Sequence, residues 1–245
     1  MRKGIARSTA VILTAYLIVL GSAGDSQANL IVNGSFENGT NPPLAIPGYR
    51  TLSGPTDPSA FGGTNDITGW TVRNDNIDWI HSSYWQPSNG TYSLDLSGLS
   101  PGGISQTIAT NVGETYTLTF DHSVNPDLRH SDTARRLDIL AINTATNLND
   151  LEDNLLLARG TRTFTNMQWL AESFTFTASG TSTRIVFASA PSNLDAGGPT
   201  LDNVVLLGNG TVAAVPAPAG LLLAGIGGIG LLISRGRKAL TVAAA

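Results

Sequence analysis

Cysteine is absent from the chain. That removes disulfide staples, thiolate zinc sites and cysteine nucleophiles together, so an exported form of this protein must rest on its core, on a bound metal, or on both. Charge is scarce as well. Asp, Glu, Lys and Arg make up 13% of the 245 residues, about half the usual share. Gly, Thr, Ser and Asn take their place, so a soluble surface must be built from hydroxyls and amides. The formal net charge of −4 argues against a nucleic-acid partner, which needs clustered Lys and Arg to displace counterions. Catalytic signatures are missing too. Only three histidines occur, His81, His122 and His130, and no GxSxG elbow accompanies them. The string Asn147-x-Asn149-Asp150 lacks the Gly and terminal Glu of an EF-hand loop. A carboxylate pair for glycoside hydrolysis stays open, because its members can lie far apart in sequence. With so many polar loops such pairs also arise by chance, and the expectation is a protein that is not an enzyme.

What is present begins at the two ends. Arg2, Lys3 and Arg7 precede an apolar run over residues 10–20, and Ser26-Gln27-Ala28 puts small residues at the −3 and −1 positions of a cleavage site. This reads as a signal peptide over residues 1–28, cut after Ala28, with an uncleaved anchor as the alternative. Near the other end, residues 215–238 read VPAPAGLLLAGIGGIGLLISRGRK. The apolar part is short for a spanning helix of about 20 residues, though residues 212–214 can lengthen it. Arg235, Arg237 and Lys238 follow it, and the positive-inside rule keeps such residues cytoplasmic. Pro216 and Pro218 hold the chain extended just before the run, as a recognition peptide is held.

Between these segments, alternation of period two recurs. In TYSLDLSG, Tyr92, Leu94 and Leu96 share a face opposite Ser93, Asp95 and Ser97; in TYTLTF, Tyr116, Leu118 and Phe120 oppose three threonines. Phe174 with Phe176, and Ile185 with Phe187, repeat the pattern. Many short strands with one dry face predict an all-β sandwich or barrel over residues 29–208. One helix is expected in NLNDLEDNLLLAR, where Leu148, Leu151 and Leu155 recur at i, i+3 and i+7 behind Asn147 as cap. Asn-Gly-Ser/Thr triplets begin at Asn33, Asn38, Asn89 and Asn209. They read as turns rather than glycosylation acceptors, because Asn-Gly is a favoured turn dipeptide.

NLIVNGSFENG, ITGW, YWQPSNGTYSLDLSG, GGISQTI and GPTLDNVVL follow one another in this order, with Asn125-Pro126-Asp127 and Asn166-Met167-Gln168-Trp169 between the last two. Together they resemble the choice-of-anchor C family, related to galactose-binding-like, carbohydrate-binding-module-like domains, which implies a jelly-roll β-sandwich. The tail over residues 209–245 resembles PEP-CTERM sorting signals in a VPxPA variant. That resemblance implies a transmembrane sorting helix, an exosortase-like protease as partner, and delivery to the cell surface or extracellular matrix. Here Val215, Pro216 and Pro218 would form the recognition peptide, and Arg235, Arg237 and Lys238 the basic end. Ala217 departs from the commoner Glu, and a plain one-pass membrane anchor is the alternative. Residues 128–162, with His130, Arg135 and Arg136, depart most from the family pattern.

Two pairs stand out as candidate sites. The jelly-roll resemblance implies that the first and last strands are neighbours, and that Glu37 and Asp202 ligate a structural Ca²⁺ between them. The alternative is that both carboxylates only cap strands or accept backbone amides. Tyr84 and Trp85, in HSSYWQPSNG, are the best candidates for stacking on sugar rings, while Trp70 and Trp169 sit in framework motifs and are expected in the core. The function expected is an exported, non-enzymatic surface or matrix protein that engages polysaccharide. A structural envelope component without sugar specificity is the second reading, and a glycoside-active enzyme the third.

Deleting residues 215–245 is expected to release the protein from the envelope fraction, because they hold the only membrane-length apolar segment left after leader cleavage. Cell fractionation checks this, and retention of the truncated chain in the envelope overturns it.

Overall fold

In the computed structural model of the chain, residues 27–55, 63–127, 129, 134–193 and 196–209 are described. The apolar leader, His130, Val215, Pro216, Pro218 and the basic residues Arg235, Arg237 and Lys238 lie outside them, whereas Ala28 is within them and exposed.

Eleven strands and no helix make up the described residues: β1 Tyr49–Ser53, β2 Thr71–Asn74, β3 Asn76–His81, β4 Tyr92–Asp95, β5 Gly102–Ala109, β6 Thr115–Val124, β7 Arg135–Asn143, β8 Asn149–Leu157, β9 Leu170–Thr177, β10 Ser182–Ser189 and β11 Pro199–Gly208. They form two antiparallel sheets, one in the order β1-β3-β4-β11-β6-β9 and the other β2-β5-β10-β7-β8. The result is a jelly-roll β-sandwich: all-β as the alternating pattern predicted, and the jelly roll that the family resemblance implied.

The dry faces of both sheets meet in one core. Leu94 and Leu96 from the β4 stretch, Tyr116, Leu118 and Phe120 from β6, and Ile185 and Phe187 from β10 are buried in it. Trp70 and Trp79 are buried with them, and each indole N–H finds a backbone carbonyl, Asn33 O at 3.0 Å and Phe36 O at 3.1 Å. A buried indole needs such an acceptor, and both lie in the NGSFE segment. That segment runs beside the last strand: Leu30 N–H donates to Leu206 O, and Val204 N–H to Gly34 O. Any side chain at Gly34 would collide with the Val204 carbonyl, which explains the glycine there.

The expected helix is a strand. Residues 149–157 form β8, an edge strand paired with β7, with Leu151 opposite Ala141 and Leu155 opposite Leu137. The misreading has a simple cause. Leu151 and Leu155 are four apart, an even number, so they share a face in a strand as well as in a helix. Leu148, the third member of the helical pattern, is 67% exposed ahead of the strand. Residues 135–157 therefore supply two strands of the five-stranded sheet, β7 and the edge strand β8, and are not an appendage to it.

This assignment separates the three leucines. Leu155→Ala, which removes contacts with the core, is expected to lower stability by about 1–2 kcal/mol, and Leu148→Ser to change it by less than about 0.5 kcal/mol. Thermal unfolding of the two variants checks the contrast; equal losses would restore the helical face.

Candidate functional site

The site grows from the outer face of the six-stranded sheet. On β3, Ile77 and Trp79 point into the main core, so Asp78 and Ile80 point outward. Register then builds a row across five strands: Thr51 pairs with Asp78, Asp78 with Asp95, Asp95 with Thr200, and Thr200 with Ser123. Residues directly opposite in an antiparallel pair share a face with Cβ atoms about 5 Å apart. This polar row is not open to water throughout, since Asp95 is 1% exposed and Thr200 and Ser123 are fully buried.

Residues 82–91 cover part of it. Trp85 packs with Ile80 and Met167 in a second, small apolar cluster, and its indole N–H donates to Ser93 Oγ at 2.8 Å. Trp85 is thereby buried, with half-buried Tyr84 and Trp169 against the cluster. Trp169 donates to Gln86 O at 2.9 Å, so this tryptophan braces the covering loop instead of entering the main core. Of the aromatic pair read from the sequence, Tyr84 faces outward and Trp85 props it from beneath.

Glu37 and Asp202 converge on that same loop. Glu37 Oε1 accepts the amides of Thr91 at 2.8 Å and Tyr92 at 2.9 Å. Asp202 Oδ2 accepts those of Ser88 and Asn89, both at 2.8 Å, and its Oδ1 accepts the Asn203 amide at 2.7 Å. Asp121, paired with Asp202 across β6 and β11, accepts the Ser88 hydroxyl at 2.5 Å. A shared Ca²⁺ would take about six to eight oxygen ligands, backbone carbonyls among them. Here one oxygen of each carboxylate, Glu37 Oε1 and Asp202 Oδ2, already accepts two backbone amides, and no group of three or more His, Asp or Glu among the described residues could hold a metal ion. These contacts are the ones the alternative reading describes, acceptance of backbone amides.

Burial raises the Asp202 carboxyl to about 7, with the Asn89, Asn203 and Ser88 amides pulling it down and Asp121 adding to the rise. Burial also holds Asp95 well above the usual carboxylate range, and Asp78 adds to the effect. The amides of Ser97 and Gly198 and the side-chain amide of Asn125 oppose it, at 2.9, 3.0 and 2.7 Å.

Beside the loop a cavity of about 260 Å³ opens on the row. Its lining includes Tyr49, Thr51, Asp78 and Ile80 from β1 and β3, Tyr84 and Trp85 from the loop, and Leu99, Asn125 and Arg129, the last in hydrogen-bond contact with Tyr84. The Tyr49 and Tyr84 rings meet edge to face at 5.2 Å, and Tyr84 and Trp85 lie 5.7 Å apart. Asp78 accepts the Thr51 hydroxyl at 2.5 Å. Arg129 is forked onto Asp127 through Nε, at 3.0 and 2.8 Å, and through Nη2. Sequence reasoning missed Tyr49, Asp78 and Arg129. The one signal for Asp78 was a carboxylate set between Ile77 and Trp79, hence on the opposite face of a strand. Nothing local marked Tyr49, because only the pairing of β1 with β3 brings it to Tyr84.

If the two carboxylates clamp the loop through amides, exhaustive chelation leaves the melting temperature unchanged, while Asp202→Ala strands buried N–H groups and lowers stability by about 1–3 kcal/mol. The Asp202 proton gives a second readout. Its folded value of about 7 lies above the unfolded value of about 3.9. The stabilisation is therefore fully present below the unfolded value and lost as pH rises through the folded one. The melting temperature is expected to fall between mildly acidic and mildly alkaline pH, and Asp202→Asn to flatten that slope. A melting temperature that drops with EGTA would restore the metal.

Three kinds of relative frame this geometry. Halomucin of Haloquadratum walsbyi (strain DSM 16790 / HBSQ001) is 29% identical over 211 residues, which span 85% of this chain and 2% of halomucin's length. Among solved structures, an arabinose-bound α-L-arabinofuranosidase superimposes with a TM-score of 0.50 at 11% identity, over 76% of this chain and 27% of that one. A Family 16 carbohydrate-binding module gives 0.41 at 19% identity, over 73% of this chain and 99% of the module. A module in complex with β-1,4-galactotriose gives 0.43 at 12%, over 74% and 99%. At these identities the likeness is one of fold. Residues 29–207 fit the family model described as "Protein of unknown function (DUF642)", and the chain belongs to that family.

Proposed function

We propose that this DUF642 chain is a non-enzymatic glycan-binding protein that works outside the cell. The observation that carries the reading is the cavity on the outer sheet face, where Tyr49 and Tyr84 stand beside Asp78. Sugar rings present C–H faces and hydroxyl edges. An aromatic wall next to a carboxylate matches both, with dispersion on one side and charge-assisted hydrogen bonds on the other.

Binding is favoured over hydrolysis by the carboxylates themselves. A glycosidase needs two that reach the scissile bond. Asp78 lines the cavity, but its neighbour Asp95 is buried and committed to Ser97, Gly198 and Asn125. His81 Nδ1 lies 2.9 Å from the Ser83 hydroxyl, but that nitrogen also accepts the Ser83 amide at 2.9 Å and the hydroxyl donates to Ala45 O at 2.8 Å. The pair is thus turned to local structure and not to activating a nucleophile.

The address belongs to the same proposal. Its support is the sequence alone: residues 1–28 read as a leader, and the VPAPA motif, apolar run and basic end of residues 215–238 suit export, membrane retention and handover by an exosortase-like protease to a surface or an exopolysaccharide matrix.

A glycan array probed with the purified chain tests the binding. Retention on a defined set of glycans is expected, and Tyr84→Ala should weaken it about three- to tenfold, the range of one aromatic contact. No retention on any glycan overturns the reading in favour of a structural role, and turnover of a retained glycan overturns the non-enzymatic part.

A further inference from the structure

The charge of the cavity narrows the ligand, on the condition that the glycan-binding reading holds. Asp78 lies in its wall, and Asp95, buried beneath, is its cross-strand neighbour. Arg129 lines the cavity too, forked onto Asp127 and in hydrogen-bond contact with Tyr84. Among the described lining residues Asp78 is thus the one carboxylate and Arg129 the one guanidinium, and the guanidinium is already paired with Asp127 behind it. The phenol of Tyr84 senses the same field. Burial raises it most, and Asp127 adds to the rise against Arg129, with Tyr49 and Asp78 contributing less.

The aromatic side points the same way. Tyr49, Tyr84 and Trp85 stand in sequence at 5.2 and 5.7 Å, the first pair edge to face and the second tilted. Ring faces attract cations, and a carboxylate beside them strengthens the attraction as water is excluded. An acidic sugar would meet the opposite, a like charge against Asp78. In size, about 260 Å³ falls just below the roughly 300–1,000 Å³ typical of pockets for drug-sized ligands. That is room for one ring and not for a run of them.

We propose that the cavity receives a single amino-sugar residue, at a chain end or on a branch, with its free protonated amine set against Asp78 beside the rings of Tyr49 and Tyr84.

Titration calorimetry with the purified chain in mildly acidic, low-salt buffer tests this. The probes are glucosamine oligomers, the same oligomers N-acetylated, and neutral hexose oligomers of equal length. The free-amine series is expected to bind at least about tenfold tighter than its acetylated form, and to lose that advantage at high salt. Asp78→Asn should erase the preference, and Asp153→Asn on the acidic edge strand β8 should keep it. Because the acetylated oligomers remove the charge from the ligand, the test does not depend on Asp78→Asn folding. Equal binding of amine and acetylated forms overturns the amino-sugar proposal while leaving glycan binding intact. An equal loss in Asp153→Asn assigns the preference to general charge attraction and overturns it too. Absence of binding to every oligomer and to the glycan array removes both readings.

Discussion

The covering loop over residues 82–91 depends on two carboxylates, and the cavity depends on the loop. Glu37 comes from the segment that opens the domain and Asp202 from the strand that closes it; Asp202 accepts the consecutive amides of Ser88 and Asn89, and Glu37 those of Thr91 and Tyr92, where the loop enters β4. A loop without regular pairing has donors that must find acceptors somewhere, since an unpaired buried amide costs as much as a lost hydrogen bond. Three of those donors, with the Tyr92 amide that follows, end on carboxylate oxygens, which hold them more tightly than carbonyls would when ionised. The loop is therefore fixed at its C-terminal half by the two ends of the domain. Its N-terminal half, with Tyr84 and Trp85, is fixed by the small cluster around Ile80 and Met167.

That constraint explains why the sandwich has a second, separate apolar cluster. The outer face of a sheet in a small sandwich usually meets water, and its residues can then be polar at no cost. Here the polar row from Thr51 to Ser123 is partly roofed, so its members must satisfy one another. Asn125 illustrates the economy, donating to Asp95 through its side-chain amide and accepting the Asp127 amide through its side-chain carbonyl at 2.8 Å. Asp127 in turn holds Arg129 at the rim. One chain of hydrogen bonds thus runs from the buried floor to the exposed edge of the cavity.

Much of this was legible in the sequence, and the limits have physical causes. Alternation located the core strands because a half-buried sheet imposes a period of two on hydrophobicity, as in Tyr116, Leu118 and Phe120. The same logic failed at residues 148–155, where leucines four apart satisfy helix and strand alike and only the exposed Leu148 breaks the tie. Glu37 and Asp202 were legible as a pair that belongs together, but not in their chemistry. A motif tells which residues meet, whereas the number of amides reaching each oxygen is a property of the folded loop. The cavity was the least legible part. Tyr49, Asp78, Asn125 and Arg129 come from four stretches, and what assembles them is strand register, which a one-residue slip would reverse.

The buried floor carries a cost that is informative about the fold. Asp95 sits in an environment that disfavours its charged form, and Asp78 across the strand pair makes this worse. A sandwich selected for stability alone would do better with an apolar pair there, since paired buried charges are often no better than a well-packed hydrophobic substitute. The polar solution does one thing an apolar pair cannot. It locks Ser97, Gly198 and the cavity-lining Asn125 to a single carboxylate buried beneath. Both walls of the cavity are then held from below before any ligand arrives, the aromatic wall by Ser93 through Trp85 and the polar wall by Asp95. A rigid site loses less entropy when it is filled, which favours weak, single-ring ligands that have few contacts of their own to offer. On the glycan-binding reading, the strained floor is what makes so small a pocket worth having.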